Sequence, residues 1–331
     1  MHRAENLVIV TPALAAANNG NWQTAQRWAG MLRPAYRVRL VEQWDGGTEV
    51  LMIALHARRS ADAVARWPAQ KPLIVVLTGT DLYRDIGVDA AAQASLQRAD
   101  RLVVLNELGA QALPAGLRAK AHVLLQSCSA RPALIKTDRH LRALMVGHLR
   151  EEKSPQTYFE AARLLAERRD IRLDHIGAAL VPSLGLAATA LMAACPRYRW
   201  LGALAHGTTR RRIQGAHLLV HPSRIEGGAH VVIEALRSGT PVLASRIAGN
   251  VGLLGEHYAG YFPVGDASAL AALLRQARDD PAMLASLQQQ CLARAPLFDP
   301  ARERAALLAL IADVRINPSE SPPHVHKPPS D

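Results

Sequence analysis

The sequence predicts an α/β protein built from two doubly wound, Rossmann-like domains in series. Three observations carry that expectation. The chain has 331 residues, more than one ordinary core requires and enough for two. Short apolar runs alternate with helix-length stretches, and the pattern occurs twice. The runs are apolar throughout rather than alternating with polar residues, which marks strands of a parallel sheet covered by helices on both faces.

In the first half the predicted strands are Leu7–Thr11, Arg37–Val41, Val50–Leu55, Leu73–Thr78, Arg101–Leu105 and His122–Leu125. Between them Trp22–Leu32, Ser60–Trp67 and Ala90–Ala99 have helical length and spacing. The second half offers strands at Leu144–Val146, Arg172–Ile176, Tyr198–Leu201, His217–Val220 and Pro241–Ser245. Its helices are expected at Pro155–Arg168, Leu186–Ala194, Val231–Arg237, Ala267–Arg278 and Pro300–Val314. Gly239 and Pro241 close the Val231 helix and release the next strand. The expected boundaries are a first domain over 1–140, a second over 141–298, a C-terminal helix over 299–316 and a disordered tail over 317–331. That tail is rich in Pro, Ser and His, and His324 and His326 by themselves give no reason for a metal site there.

Composition narrows the class. Apolar residues make up 49% and charged residues 20%, the balance of a folded soluble chain, whereas aromatics are only 4%, so aliphatic side chains must fill the cores. The net charge of +11 raises nucleic-acid binding as a question, but the arginines are scattered and lack interleaved aromatics. Arg210-Arg211-Arg212, the densest cluster, reads as one solvated helix face. A positive chain also suits small anionic substrates, and nucleic acid is not expected as a partner. Cys128, Cys195 and Cys291 are far apart, which argues against a zinc site or disulfide scaffold and fits the cytoplasm. Arg3, Leu7–Val10 and Ala13–Ala17 have the outline of a signal peptide, but Glu5 and Pro12 interrupt it, and a buried first strand fits better. No apolar run approaches the ~20 residues that span a bilayer.

The segment Pro222-Ser223-Arg224-Ile225-Glu226-Gly227-Gly228-Ala229-His230-Val231-Val232-Ile233-Glu234 runs from a strand through a glycine loop into a helix. Gly227 and Gly228 let backbone approach a ligand and offer N–H groups to a diphosphate. Glu234, on the helix, can accept two hydrogen bonds from a vicinal diol such as a ribose presents. Taken singly, Glu226 reads as a helix cap and Glu234 as a solvated residue. The whole pattern resembles the family 4 glycosyltransferases of GT-B fold, whose signature is two glutamates separated by seven residues after a Pro-Ser turn. Ala216–Val220, Glu234–Val242 and Gly202 extend the resemblance. It implies two domains facing across a cleft, a UDP-sugar as co-substrate, Glu234 on the nucleotide ribose, and Glu226 on the transferred sugar with Ser223 nearby. It also implies that Val146–Lys153 neutralises the donor diphosphate through Lys153. Where many members carry Arg this chain has His148, and Ser154 replaces the usual Gly; Arg150 could supply the missing charge. Asn250 is expected to face the phosphates. No metal or other cofactor is expected, and Asp279-Asp280 reads as a turn.

The first half supplies the acceptor side in such proteins. Asn18–Ala25 is a polar glycine loop feeding a helix, with Gly20, Asn21 and Thr24 as candidate anion contacts, although a simple turn fits equally. Further strands end in His56-Ala57-Arg58-Arg59, in Thr78-Gly79-Thr80-Asp81 and in Asn106-Glu107. The strings NGNWQTAQRW, LHARRSA and LTGTDLYRDI together resemble the selenosugar synthases of selenoneine biosynthesis. That resemblance implies transfer from UDP-N-acetylglucosamine to selenophosphate, an anion for which Arg58, Arg59 and Thr80 are natural contacts. Selenium is already an anionic nucleophile, so positioning and charge neutralisation could suffice. His56 and Asp81 remain candidates for base and orienter. The alternatives are a hydroxyl or thiol acceptor, or a non-catalytic nucleotide- or nucleic-acid-binding protein on a GT-B scaffold.

Overall fold

A computed structural model of the chain describes residues 4–14 and 20–316. The Asn18–Asn19 part of the first glycine loop, the alanines before it, and the tail with His324 and His326 lie outside the described residues.

The contacts divide the chain into two compact units. In the first, β1 (Asn6–Val10) leads to α1 (Gly20–Leu32), β2 (Arg37–Val41) and β3 (Leu51–Leu55). Then follow α2 (Ala61–Arg66), β4 (Leu73–Leu77), α3 (Thr80–Tyr83), α4 (Ala90–Arg98), β5 (Arg101–Val104) and β6 (Ala121–Val123). The strands form a six-stranded sheet in the order β2-β1-β3-β4-β5-β6. β1 runs parallel to β2 on one side and to β3 on the other, and β3–β4 and β4–β5 are also parallel. Burial follows position: every residue of β3 and β4 is buried, whereas none in the edge strand β2 is. α1 lays Trp28, Ala29 and Leu32 into the core, all with no exposed surface. Asp89 begins α4 by accepting the Ala92 N–H at 2.8 Å.

The second unit repeats the winding. Its elements are β7 (Leu141–Val146), α5 (Pro155–Leu164), β8 (Ile171–Ile176), α6 (Pro182–Ala194), β9 (Tyr198–Trp200), α7 (His206–Gly215) and β10 (Leu218–His221). They continue with α8 (His230–Leu236), β11 (Val242–Ser245), α9 (Ala248–Leu254), β12 (Tyr261–Phe262), α10 (Ala267–Asp279) and α11 (Pro281–Arg294), and α12 (Pro300–Ile316) follows, shared between the units. The sheet order is β12-β11-β10-β7-β8-β9, all pairs parallel. In both sheets the chain winds outward in two directions from a central pair, β1 and β3 in the first and β7 and β10 in the second. Loops at the C-terminal ends of such a pair diverge and leave a crevice.

The division differs from a single cut after residue 140. Leu105–Ala112 and Val123–140 belong to the second unit, because Asn106 Nδ2 donates to Gly227 O at 2.8 Å and Arg131 N to Arg237 O at 2.9 Å. α12 is split: Glu303 bonds Ser127 N at 2.8 Å in the second unit, while Asp313 and Arg315 pair with Arg101 and Glu5 in the first. Two further expectations change. Asp279-Asp280 is not a free turn, since Asp280 caps α11 by accepting the Ala282 N–H at 2.9 Å and Asp279 pairs with Arg168 at 2.6 Å. The arginine cluster in α7 is not uniformly solvated: Arg210 is 2% exposed, because its turn of the helix faces α8. The three cysteines are free and buried. No helix of the described residues is long and apolar enough to cross a membrane.

One core feature positions a loop needed below. His175 on β8 lies among Tyr158, Phe159 and Tyr198, with ring centroids 6.1 to 6.4 Å away. Its Nε2 is 3.0 Å from Gly147 O and its Nδ1 is 3.1 Å from the Tyr198 hydroxyl. Burial draws its pKa down to about 4, so it is neutral at pH 7 and bridges the two groups without charge. Gly177, just past β8, packs so closely against the Gly147 loop that a Cβ would stand 2.0 Å from Gly147 O. Gly177→Ala must push that loop away, at a cost of about 2 kcal/mol or more. The midpoint of thermal unfolding should fall by about 4 °C or more; an unchanged midpoint in a calorimetric scan would contradict this packing.

Candidate active site

In the second unit the loops after β7 and β10 carry the motif residues to the switch between those strands. The β7 loop runs from Gly147 to Ser154, whose backbone is left-handed with φ of 48°. That conformation costs an L-residue energy and glycine none, which explains why glycine is usual there. Here Ser154 sits buried, its hydroxyl 2.9 Å from Thr157 Oγ1. The two loops are tied by the Arg224 N–H, which donates to Glu152 O at 2.8 Å. Lys153 Nζ then lies 2.5 Å from Glu226 Oε1, and His221 Nε2 lies 3.2 Å from the same oxygen at a poor hydrogen-bond angle. Burial pushes the Glu226 pKa up, but Lys153 and His221 outweigh it and hold the carboxyl well below the usual range. Glu226 therefore is no helix cap. It is the anionic half of a nearly buried ion pair.

Glu234, on α8, is likewise no solvated residue, being 2% exposed. Its Oε1 receives His206 Nε2 at 2.6 Å, His230 Nδ1 at 3.4 Å and Arg210 Nε at 3.9 Å. Burial raises its pKa, but the hydrogen bonds from His206 and His230, with Arg210 behind them, bring it to about 2. The carboxylate is thus ionised throughout the physiological range.

The remaining donor-side candidates divide into those that line the switch and those that build it. His148 Nδ1 accepts the Ala178 N–H at 3.1 Å, and burial together with Arg150 and Lys153 lowers its pKa. A neutral His148 cannot replace a missing arginine, which leaves Lys153 and Arg150 as the cations of this loop. Arg150 is 42% exposed and 4.0 Å from Glu152. Gly228 is committed to packing, since a Cβ there would meet Leu105 Cβ at 2.8 Å. Gly227 O accepts from Asn106, and Gly249 brings α9 against the Glu226 carbonyl, where a Cβ would stand 2.1 Å away. Asn250 Nδ2 ties α9 to Ser245 O at 2.9 Å rather than facing outward. Its Oδ1 and Ser223 Oγ are buried with no partner among the described residues, orphans of the kind that gather at functional sites.

In the first unit His56 follows β3 with φ of 73° and 2% exposure. Its Nε2 is 3.1 Å from Thr80 Oγ1, and Nδ1 accepts the Arg59 N–H at 3.4 Å. Burial lowers its pKa, and the nearby Asp81 and Asp85 only partly restore it, so the ring is neutral at pH 7. Asp81 is corrected from ligand contact to loop anchor: it is fully buried and accepts the N–H groups of Ala57, Thr78 and Gly79 at 3.0, 2.9 and 2.8 Å. Arg58 pairs at 2.9 Å with Asp85, which also holds Arg84. Arg59 is exposed. Gly20 and Asn21 open α1, while the Thr24 hydroxyl bonds Gly20 O at 2.9 Å. The structure thus joins His56, Thr80 and Arg58 in one cluster with Asp85, a residue sequence reasoning passed over although it lies in the quoted Leu77–Ile86 string. His206, Arg210, His221 and His230 were also missed as site residues; His221 and His230 adjoin the motif, whereas nothing local marks His206 or Arg210. Among the described residues no group of three or more His, Cys, Asp or Glu side chains is placed to hold a metal ion.

The family described as "Glycosyl transferases group 1" matches residues 129–294. No curated protein matches the sequence. Among solved structures, sucrose-phosphate synthase from Thermosynechococcus elongatus is 16% identical with a TM-score of 0.79, covering 95% of this chain and 100% of that one. HepE of Anabaena, in complex with UDP and glucose, is 16% identical with a TM-score of 0.73, covering 94% and 100%. A variant of TarM from S. aureus, in complex with fondaparinux, alpha-GlcNAc-glycerol and UDP, is 13% identical with a TM-score of 0.65, covering 78% of this chain. This chain spans 55% of TarM's length. Two parallel six-stranded sheets with interspersed helices, shared with these proteins, are the GT-B fold.

The depressed pKa of Glu234 has a measurable consequence. A carboxyl whose folded pKa is about 2 against an ordinary 4.5 adds stability that is present above pH 4.5 and lost as pH falls toward 2. The size is on the order of 3 kcal/mol. Unfolding midpoints between pH 5 and 2.5 should fall less steeply in Glu234→Gln than in the wild type; parallel slopes would mean the carboxyl is not held ionised.

Proposed function

Since this chain belongs to the glycosyl transferases group 1 family, we propose that it moves a sugar from a UDP-sugar, UDP-N-acetylglucosamine in the specific reading, to selenophosphate. The observation that carries the donor half is the pair of buried, ionised carboxylates at the β7–β10 switch, one matched to Lys153 and the other facing the turn before α7. In this reading Glu234 binds the ribose, Lys153 and Arg150 balance the diphosphate, and Glu226 addresses the sugar. HepE and the TarM variant, both described with UDP, are consistent with that nucleotide.

As the C1–O bond to the diphosphate breaks, UDP leaves with the bonding electrons while C1–Se forms. Negative charge grows on the leaving diphosphate, where the Lys153 ammonium, with N–H donors beyond the one aimed at Glu226, can meet it. A selenium nucleophile needs no base, and the acceptor-side cations Arg58, Arg59 and Arg84 suit an anion. A second reading has one observation in its favour: the neutral His56 ring lies beside Thr80. In the tautomer that gives up the long Arg59 contact and carries its proton on Nδ1, its Nε2 has a lone pair to take a proton from a hydroxyl acceptor.

The test is product analysis by mass spectrometry with UDP-N-acetylglucosamine offered to selenophosphate, thiophosphate and sugar alcohols. The selenium reading predicts a seleno-product, a slower thio-product, and a loss of about 10²-fold or more in kcat for Lys153→Ala. Turnover with alcohols alone would sink it and favour the His56 reading.

A further inference from the structure

The donor-site reading leaves unexplained why a family glutamate should be met by two histidines. His206 opens α7, directly after the turn that Gly202, at φ of 66°, makes past β9. Its side chain is 54% exposed, whereas the Glu234 carboxylate that it contacts is 3% exposed. The imidazole thus stands between solvent and a buried anion. Its Nε2 approaches Oε1 at 2.6 Å, the shortest of the three contacts there. The other two are geometrically fixed. His230 comes from the preceding turn of α8, and Arg210 is held by its Nη2, which donates to Ser129 O at 3.0 Å.

Among the described residues His206, His230 and Arg210 each make their nearest approach to Glu234 at Oε1. A carboxylate anchored through one oxygen has a fixed plane, so its second oxygen points in one direction. We propose that His206 is a positioning residue of the donor site: by donating from Nε2 to Glu234 Oε1, it orients Oε2 to accept from the hydroxyls of a nucleotide ribose. The claim rests on the donor-site reading and adds to it the residue that sets ribose discrimination. With a proton on Nε2 the donation holds whether the ring is neutral or charged. His230 and Arg210 lie farther from Oε1, at 3.4 and 3.9 Å, and restrain the carboxylate less.

Removal of His206 should loosen the carboxylate without removing its charge. Binding of a nucleoside diphosphate should then survive through the phosphate contacts, while selection for the ribose hydroxyls should fade. A purely structural role for His206 would weaken UDP and deoxy-UDP alike.

The experiment is calorimetric titration of the full chain with UDP and with 2′-deoxy-UDP. The wild type should bind UDP about tenfold tighter than the deoxy form, the worth of one charge-assisted hydrogen bond. In His206→Ala that ratio should fall to about twofold, and His206→Gln, which can still donate, should recover it. Thermal unfolding of each variant checks that the fold is kept, and Glu234→Gln separates the role of His206 from that of Glu234. If the wild type discriminates, Glu234→Gln abolishes discrimination and His206→Ala retains it, the His206 proposal is wrong and the ribose assignment stands. If the wild type does not discriminate, or Glu234→Gln leaves the ratio unchanged, the assignment of Glu234 fails and the proposal with it.

Discussion

Two buried carboxylates kept ionised by the cations and hydrogen-bond donors around them set the terms for the second unit. Burying a carboxylate without compensation is costly, and the group would take up a proton instead. Glu226 avoids this through Lys153 and His221, and Glu234 through His206, His230 and Arg210. Those partners come from different elements: the loop after β7, the end of β10, the start and second turn of α7, and the first turn of α8. Matching the two charges therefore also fixes where those elements stand with respect to one another. The arrangement concentrates opposed charges at the sheet's switch point, where a charged ligand can be recognised by groups already in place.

The surrounding scaffold acts on the same loops. Neutral His175 joins the Tyr198 hydroxyl to the Gly147 carbonyl, and Gly177 permits the close approach. Gly249 lets α9 rest on the Glu226 backbone, and Asn106 reaches Gly227 O from the segment after β5. Each contact restrains a loop bearing Lys153 or Glu226. The first unit uses a different device, with the fully buried Asp81 collecting three backbone N–H groups and so setting the loops around His56. There the carboxylate is structural, and the groups left to meet a ligand are the arginines and His56.

Much of this was legible in the sequence because apolar runs report burial directly. Strands such as Leu51–Leu55 and Leu73–Leu77 declare themselves by unbroken hydrophobicity, and the parallel winding follows. The Pro222–Glu234 motif likewise located both carboxylates, since a loop and the helix after it keep their residues near each other. What escaped were pairings between distant segments. His206 and Arg210 precede Glu234 by more than twenty positions, and neither carries a local mark. The helix after Asp280 was missed because Asp-Asp-Pro reads as a turn until the aspartate is seen capping. Asp81 and Gly228 were assigned to ligands for sound local reasons, but the backbone N–H groups and Leu105 claim them first. His148 belongs with these, since burial and the neighbouring Arg150 and Lys153 push its pKa down, which residue type alone does not tell.

In the proposed function, the loops after β7 and β10 and the helix α8 form a nucleotide site organised around ionised Glu226 and Glu234. A crystal structure of the full chain with UDP bound tests it most directly. Ribose hydroxyls should lie within hydrogen-bond distance of Glu234 and a diphosphate oxygen against the Lys153 ammonium. A nucleotide bound elsewhere on the chain, or bound here with its ribose turned away from Glu234, would contradict it.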